Sequence, residues 1–299
     1  MAVSCWKIIC NFAFITMNTT INLPTGSGAI GVFDSGYGGL TILDGICRHL
    51  PQYDYLYLGD NARTPYGPRS FDVVYEFTRQ AVLHLFHSGC NLVILACNTA
   101  SAKALRSIQQ RDLPLWDSHR RVLGIIRPTA EVIGGLTKSR HVGVLATEGT
   151  IKSQSYNIEI QKLHPDITVT GVACPLWVPL VEMGEATSPG ADYFVQKNIK
   201  QLMEQDNAID AVILGCTHYP LLLDKIRKYT PTHVNIISQG EYVARSLSSY
   251  LIRHPEIEQL CSKGGTARYL TTENSERFSI QAQRFIGQPV NATRVSLGI

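Results

Sequence analysis

The sequence has little excess charge and no long hydrophobic run, and both absences exclude whole classes of protein. The 27 Lys and Arg side chains nearly balance 24 Asp and Glu, which leaves a net charge of +3 without a block of basic residues. We therefore predict that nucleic acid is not a partner. No apolar stretch reaches the roughly 18 residues of a membrane-spanning helix, so we predict no membrane partner either.

The cysteines lack the spacing of the two common cysteine-based scaffolds. The chain has eight, in neither a disulfide framework nor a C-x-x-C pair of the kind that holds structural zinc. Reduced thiols in a cytoplasmic protein are therefore the favoured interpretation.

Motifs for the common organic cofactors are also missing. The segment Gly36-Tyr37-Gly38-Gly39 has neither the lysine of a phosphate-binding P-loop nor the spacing of a dinucleotide site. No lysine stands beside the motifs described below to form a Schiff base with pyridoxal phosphate. We predict no cofactor and no metal, so side chains would have to carry out any chemistry.

The sequence does contain one short motif in two copies. Val93 to Thr99 and Val212 to His218 are both apolar, β-branched runs that end in a small residue, a cysteine and polar side chains. A second pair, Ile30 to Gly36 and Val142 to Gly149, supports the first. Two similar halves would each place a cysteine at the end of a buried strand. If the halves face each other, one pocket has a thiol on either side, as inversion of a carbon stereocentre by two bases requires.

Strand-like runs alternate with longer helical patterns through most of the 299 residues, which predicts parallel α/β units in two domains. The predicted first domain combines residues 30–126 with 237–299, and the second is 127–236. The predicted strands are 30–33, 54–58, 91–96, 122–126, 141–145, 167–172, 210–214 and 233–237. The predicted helices are 38–49, 70–88, 99–109, 128–136, 150–163, 177–184, 190–205, 219–228, 240–252 and 274–286.

Residues 1–29 differ from the rest, and we expect a poorly ordered N-terminal extension there. The apolar run after Lys7 faintly resembles a signal peptide, but Cys10 and Asn11 interrupt it and no clear cleavage site follows. The favoured interpretation is a polar leader, with Met17 as a possible translation start.

Two cysteines are candidates for chemistry, although a cysteine after an apolar strand is often an inert core residue. That alternative weakens for Cys97 and Cys216 because they occupy matching positions in the two halves. A thiolate near neutral pH needs hydrogen-bond donors or a positive charge, and helix N-termini supply part of this. Both cysteines precede a predicted helix, and His218 could assist proton transfer near Cys216.

The other candidates each have a structural alternative. Asp34 and Ser35 lie in a glycine-rich turn, where either could simply cap a helix. Alternatively, Asp34 could contact a substrate ammonium or act on the adjacent thiol, and Ser35 could bind a carboxylate. The segment from Thr64 to Gly67 is typical of a turn, yet its amides and the Tyr66 hydroxyl could bind a distal carboxylate. Glu182 could line the cleft or be a solvated helix residue. Because ligands collect at the carboxyl ends of parallel strands, Asp34, Cys97, Thr147 and Cys216 would converge on one cleft.

Taken together, these motifs resemble the glutamate racemase family of the cofactor-independent aspartate/glutamate racemase superfamily. The resemblance runs from about Ile30 to Gly287, in consistent order. The motifs that carry it are Gly31-Val32-Phe33-Asp34-Ser35-Gly36, Gly38-Gly39-Leu40-Thr41, Gly59-Asp60, Pro65-Tyr66-Gly67, Ala96-Cys97-Asn98-Thr99-Ala100 and Gly215-Cys216-Thr217-His218-Tyr219-Pro220.

The resemblance implies two pseudo-symmetric parallel-sheet α/β domains with the active site in the cleft between them. It implies interconversion of L- and D-glutamate, which supplies D-glutamate for peptidoglycan synthesis, with Cys97 and Cys216 as the two acid/base residues. A homodimer is also expected. The implied substrate contacts are Asp34, Ser35, Tyr66, Gly67, Asn98, Thr99, Thr217 and His218, with Thr147 and Glu182 as secondary candidates.

Two positions depart from the family pattern. Ser238-Gln239-Gly240 stands where the family commonly has an aspartate before a small residue, and Arg127 stands where an acidic residue is frequent.

Two other functions stay open. An aspartate racemase is the nearest alternative among enzymes. The alternative outside them is a metal-binding or ligand-binding protein that uses Cys97, Cys216 and His218 as a soft-metal site.

Overall fold

A computed structural model describes residues 23–297 and contains two parallel β-sheets with helices on both faces. The strands are β1 (Ile30–Asp34), β2 (Tyr55–Gly59), β3 (Leu92–Leu95), β4 (Arg121–Gly124), β5 (His141–Ala146), β6 (Thr168–Ala173), β7 (Ala211–Gly215), β8 (Asn235–Ile237), β9 (Ala267–Thr271) and β10 (Ala292–Arg294). The predicted α/β class with two parallel sheets is confirmed.

The helices cover most of the chain between the strands. They are α1 (Gly39–His49), α2 (Phe71–His87), α3 (Asn98–Lys103), α4 (Leu105–Ser107), α5 (Leu113–Trp116), α6 (Ile126–Val132), α7 (Glu148–Lys152), α8 (Ser155–Leu163), α9 (Trp177–Glu182), α10 (Pro189–Gln205), α11 (Leu223–Tyr229), α12 (Gly240–Arg253), α13 (Pro255–Glu258) and α14 (Ser275–Ile286). A π-helical segment (Ile108–Asp112) and two 3₁₀ segments (Ile133–Gly135 and Tyr219–Leu222) complete the set. Among the residues described, no helix is both long enough and apolar enough to cross a bilayer.

The two sheets share one strand order. The first runs β10-β9-β2-β1-β3-β4 and the second β6-β5-β7-β8, so β1 to β4 of the first correspond in order to β5 to β8 of the second. In each sheet the two strands of the sequence repeat are neighbours: β1 pairs with β3, and β5 pairs with β7. All these pairs are parallel, so their carboxyl ends meet at one edge of each sheet.

The central strands of both sheets are buried on both faces, which explains why these strands read as continuous apolar runs. Every residue of β1, β2, β3 and β7 is buried. Side chains alternate between two cores: Ile30 and Val32 of β1 pack on one face of the first sheet, and Phe33 packs on the other. In the second sheet, the neighbouring residues Val144 and Leu145 likewise pack in different cores, one on each face.

Strands β9 and β10, which the sequence analysis did not predict, join the first sheet next to β2. They bring residues 267–294 to that sheet, whereas β8 belongs to the second. The domain boundaries at 126/127 and 236/237 stay a prediction.

The predicted N-terminal extension, residues 1–29, falls only partly within the described residues. Residues 1–22 lie outside the described part of the chain, but the stretch 23–29 contacts the fold. The Gly28 N–H donates to the Leu260 carbonyl at 2.9 Å, and Ala29 is buried. A Cβ at Gly28 would lie 2.0 Å from the Gly89 carbonyl oxygen, so this close approach requires glycine. The prediction of a poorly ordered segment reaching residue 29 is therefore corrected.

Several predicted helices are divided. The predicted helix 150–163 is two helices, α7 and α8, separated at Gln154, whose φ of 55° lies in the left-handed region. The predicted helix 99–109 begins one residue earlier, at Asn98, and is interrupted at Ala104, where α3 ends and α4 follows. The predicted strand 122–126 ends at Gly124, because α6 already starts at Ile126.

Candidate active site

A cavity of about 210 Å³ lies between the two sheets, at the carboxyl ends of their central strands. Residues that follow β3, β5 and β7 all line it, as expected for a ligand site in parallel sheets. The predicted site residues in its lining are Ser35, Tyr66, Gly67, Cys97, Asn98, Thr99, Thr147, Cys216, Thr217 and His218. The other two predicted residues, Asp34 and Glu182, lie behind this lining.

Cys97 stands at the N-terminus of α3, where it caps the helix. The Ala100 N–H donates to its Sγ at 3.4 Å, and the thiol donates to Ser35 Oγ at 3.3 Å. Burial raises the pKa of Cys97 to about 12, and the negative charge of Asp34 adds to the increase. Cys97 is therefore a protonated thiol at neutral pH and can donate a proton.

Cys216 has different surroundings. Its Sγ lies 3.9 Å from His218 Nδ1, and the opposite ring nitrogen of that histidine lies 3.0 Å from Glu182 Oε1. Burial lowers the pKa of His218, but Cys216 and Glu182 outweigh it and raise the pKa to about 10. At neutral pH, His218 is an imidazolium beside the Cys216 sulfur. The two thiols thus differ in their electrostatic environment.

Asp34 is a buried carboxyl, 1% exposed, at the end of β1. Its Oδ2 accepts the Gly36 N–H at 2.9 Å, whereas Oδ1 has no partner among residues 23–297. Burial raises the pKa of Asp34, although the His218 charge and the N–H groups of Gly36 and Gly39 oppose this. The structure therefore places Asp34 beside the Cys97 thiol, and a substrate contact for it stays a prediction.

Tyr66 lines the cavity, but its hydroxyl already has a partner inside the protein. The hydroxyl donates to Asp60 Oδ2, and the ring packs near Phe33 and Phe77, so the residue is 1% exposed. Binding of a distal carboxylate by this hydroxyl stays a prediction, and it would require the hydrogen bond to Asp60 to break. Gly67, the next residue, remains in the lining.

Three threonine hydroxyls join the two sheets beside the cavity. Thr99 follows β3, and its Oγ1 lies 2.9 Å from that of Thr147, which follows β5. Thr147 in turn lies 3.1 Å from Thr150 Oγ1. Gly67 approaches the same place, since a Cβ there would lie 3.1 Å from the Thr147 Cβ. These contacts hold the two sides of the cavity together.

The sequence analysis missed a buried group that contacts Asn98. The Asn98 Nδ2 donates to Gln239 Oε1 at 2.7 Å, and its Oδ1 accepts from the Tyr156 hydroxyl at 2.8 Å. Gln239 is 3% exposed. The only sequence signal for it was the departure from the family pattern at Ser238-Gln239-Gly240.

The metal-site alternative can be compared with the side-chain geometry. Among residues 23–297, no group of three or more His, Cys, Asp and Glu side chains is arranged to hold a metal ion. What the structure brings together is the two thiols, Cys97 and Cys216, on the lining of one cavity.

Comparison with known proteins points to racemases, both from a family model and from individual relatives. Residues 41–247 match the family model described as Asp/Glu/Hydantoin racemase. A protein named glutamate racemase from Ruegeria sp. (strain TM1040) is 40% identical over 272 residues, which are 88% of this chain and 98% of that protein. Another of that name, from Shouchella clausii (strain KSM-K16), is 42% identical over 253 residues, with 84% and 88% covered.

Solved structures that resemble this chain are also named glutamate racemase. A crystal structure of glutamate racemase isoform RacE1 from Bacillus anthracis superposes with a TM-score of 0.81 at 35% identity, covering 91% of this chain and 99% of that one. A glutamate racemase from Francisella tularensis, solved in complex with D-glutamate, gives a TM-score of 0.79 at 30% identity, covering 90% and 97%. The chain therefore belongs to the Asp/Glu/Hydantoin racemase family, in the branch of the glutamate racemases.

Proposed function

We propose that this protein interconverts L- and D-glutamate by proton transfer between the substrate α-carbon and two thiols, Cys97 and Cys216. The observation that carries the proposal is that both thiols follow corresponding strands, β3 and β7, and line one small cavity. Groups on opposite sides of a bound α-carbon can remove a proton from one face and deliver another to the opposite face.

The two thiols have different surroundings. The His218 imidazolium lies 3.9 Å from the Cys216 sulfur, whereas burial keeps Cys97 protonated. In one direction, the Cys216 thiolate takes the α-proton and the Cys97 thiol gives its own to the other face. The products are a Cys216 thiol and a Cys97 thiolate, which run the reverse reaction. By resemblance to the family, Cys216 serves L-glutamate and Cys97 serves D-glutamate.

The rest of the lining suits a small polar substrate. A cavity of about 210 Å³ is smaller than the roughly 300 Å³ at which drug-sized sites begin. Asn98, Thr99 and Thr217 offer amide and hydroxyl groups to carboxylates and an ammonium. Ser35 is placed to bind either substrate or the Cys97 thiol, to which it is already bonded. Charge that develops on the α-carbon would be stabilised by such fixed dipoles.

Relatives named glutamate racemase support glutamate rather than aspartate as substrate. On the same basis, we propose that the product D-glutamate is used in peptidoglycan synthesis. Six cysteines among the described residues are free, which supports a reducing, cytoplasmic location. The homodimer stays a prediction of the resemblance.

The test removes one thiol at a time. We expect Cys97→Ala and Cys216→Ala each to abolish racemisation, because reprotonation on the opposite face needs the missing partner. Each variant keeps one base. A glutamate analogue with chlorine on its β-carbon needs only deprotonation: the C–H electron pair expels chloride, and the enamine formed hydrolyses through its imine to a 2-oxo acid and ammonia. Cys216→Ala should retain elimination from the D-analogue, and Cys97→Ala from the L-analogue.

Matched controls come from two other buried cysteines. Cys90 lies in a core of the first sheet and Cys174 in a core of the second, and neither lines the cavity. Cys90→Ala and Cys174→Ala should racemise at near-native rates. Near-native racemisation by either catalytic variant would refute the two-base assignment. Elimination of the same enantiomer by both would show that the thiols do not act on opposite faces.

A further inference from the structure

Gln239, Asn98 and Tyr156 form a closed ring of hydrogen bonds behind the cavity. Asn98 Nδ2 donates to Gln239 Oε1 at 2.7 Å, and Gln239 Nε2 donates to the Tyr156 hydroxyl at 2.9 Å. The Tyr156 hydroxyl donates to Asn98 Oδ1 at 2.8 Å and closes the ring. All three residues are at most 3% exposed. Within the ring, each residue donates one hydrogen bond and accepts one.

A ring of two carboxamides and a hydroxyl could in principle run in either direction, because both amides can be turned over. The Ile125 carbonyl removes this freedom. Gln239 Nε2 also donates to Ile125 O at 3.0 Å, and a carbonyl can only accept. Turning the Gln239 amide over would set two oxygens against each other in a buried site. The Gln239 oxygen must therefore face Asn98, which makes the nitrogen of Asn98 face Gln239.

The direction of the ring decides what Asn98 offers to a ligand. Its Oδ1 is held by Tyr156, and one Nδ2 hydrogen is held by Gln239. The second Nδ2 hydrogen has no acceptor within the described part of the chain, and Asn98 lines the cavity directly after Cys97. Asn98 can therefore offer a ligand one N–H donor, and an N–H donor is the group that binds a carboxylate.

We propose that Gln239 is a positioning residue that sets the direction of the Asn98 carboxamide, so that Asn98 presents an N–H to a substrate carboxylate. This inference depends on the proposed function for the identity of the substrate. Gln239 does not line the cavity and acts only through Asn98. Gln239 directly precedes α12, and its hydrogen bond to Ile125 reaches the segment between β4 and α6. The ring therefore contacts both segments of the chain that connect the two sheets.

The test is a double-mutant cycle measured on KM and kcat for L- and D-glutamate. Without its partner the Asn98 amide can turn, so Gln239→Leu should raise KM by roughly tenfold, as expected for a hydrogen bond to a charged group. The fall in kcat should be smaller. Asn98→Ala should raise KM at least as much. The double variant should be no worse than Asn98→Ala alone, because Gln239 acts through Asn98.

Other variants separate positioning from general stability. Thr137→Val removes a buried hydroxyl that donates to Asp210 at the amino ends of β5 and β7, far from the cavity, and should leave KM native. If Gln239→Leu does not fold, Gln239→Met, which keeps the length of the side chain but removes its amide, is put through the same cycle.

The outcomes are distinct. A native KM in the ring variant, or KM effects that multiply in the double variant, would overturn the inference while wild-type racemisation still supports the proposed function. Wild-type protein that does not racemise glutamate would refute the proposed function itself.

Discussion

Replacing Glu182 with Gln tests how the Cys216 side of the cavity is charged. The carboxylate Oε1 lies 3.0 Å from His218 Nε2, and Gln keeps the size of the side chain but removes its charge. In the wild-type protein, His218 has a pKa of about 10 and stays an imidazolium across the neutral range. The variant weakens one of the two contacts that raise this pKa.

The size of the effect follows from the hydrogen bond that is lost. A hydrogen bond to a charged group contributes about 1.5–3 kcal/mol. Because about 1.4 kcal/mol corresponds to one pKa unit, the pKa of His218 should fall by roughly one to two units. His218 would still be charged at pH 7, so activity there should change little. Near pH 9 at least half of it would be neutral, and the Cys216 sulfur would lose the cation 3.9 Å away.

Two measurements check this prediction. NMR titration of labelled histidines, with the His218 signal assigned from His218→Asn, should show the lower pKa directly. In the elimination assay, the alkaline loss of Cys216-dependent turnover should move down by roughly one to two pH units. Turnover by Cys97, which does not contact His218, should keep its profile.

The control is Glu185→Gln, an exposed position on the same segment. It makes the same chemical change without touching His218 and should leave both readouts native. An unchanged His218 pKa in Glu182→Gln, or an equal shift for both enantiomers of the analogue, would refute the electrostatic assignment.

Two further predictions concern stability and packing. The pKa of His218 is raised from 6.5 in the unfolded chain to about 10, so its stabilisation is complete below pH 6.5 and is lost as pH rises to about 10. Urea unfolding should show a loss of up to about 1.4 kcal/mol per pH unit in that window, which His218→Asn reduces; an identical slope in both proteins would contradict this. A Cβ at Gly38 would lie 2.3 Å from Thr217 Oγ1 and 2.4 Å from His218 Nδ1. Gly38→Ala should therefore slow racemisation by about a hundredfold, whereas Gly135→Ala, with open space around it, should be native; equal rates in both would refute the packing argument.

The repeat in the sequence predicted much of the fold. Apolar, β-branched runs become buried parallel strands because both faces of each sheet are covered by helices. Two copies of one pattern therefore gave two sheets with one strand order, in which Cys97 and Cys216 follow corresponding strands. Strand β9 escaped prediction because it lies towards the edge of the first sheet, where most of its residues are not buried and its pattern is weak.

The partners of the polar side chains were decided by tertiary structure. Asp34 is buried at the end of β1, and the Tyr66 hydroxyl donates to Asp60. Glu182 reaches His218 across 36 positions of sequence, and Gln239 reaches Asn98 across 141.

Local patterning determines which segments are buried and how strands follow one another, because burial depends on the spacing of apolar residues along the chain. It does not determine which distant polar groups meet, or which way a carboxamide points. Those depend on how two packed sheets are placed against each other. In this protein, that placement sets a cation beside the buried thiol of Cys216, whereas the equally buried thiol of Cys97 stays protonated.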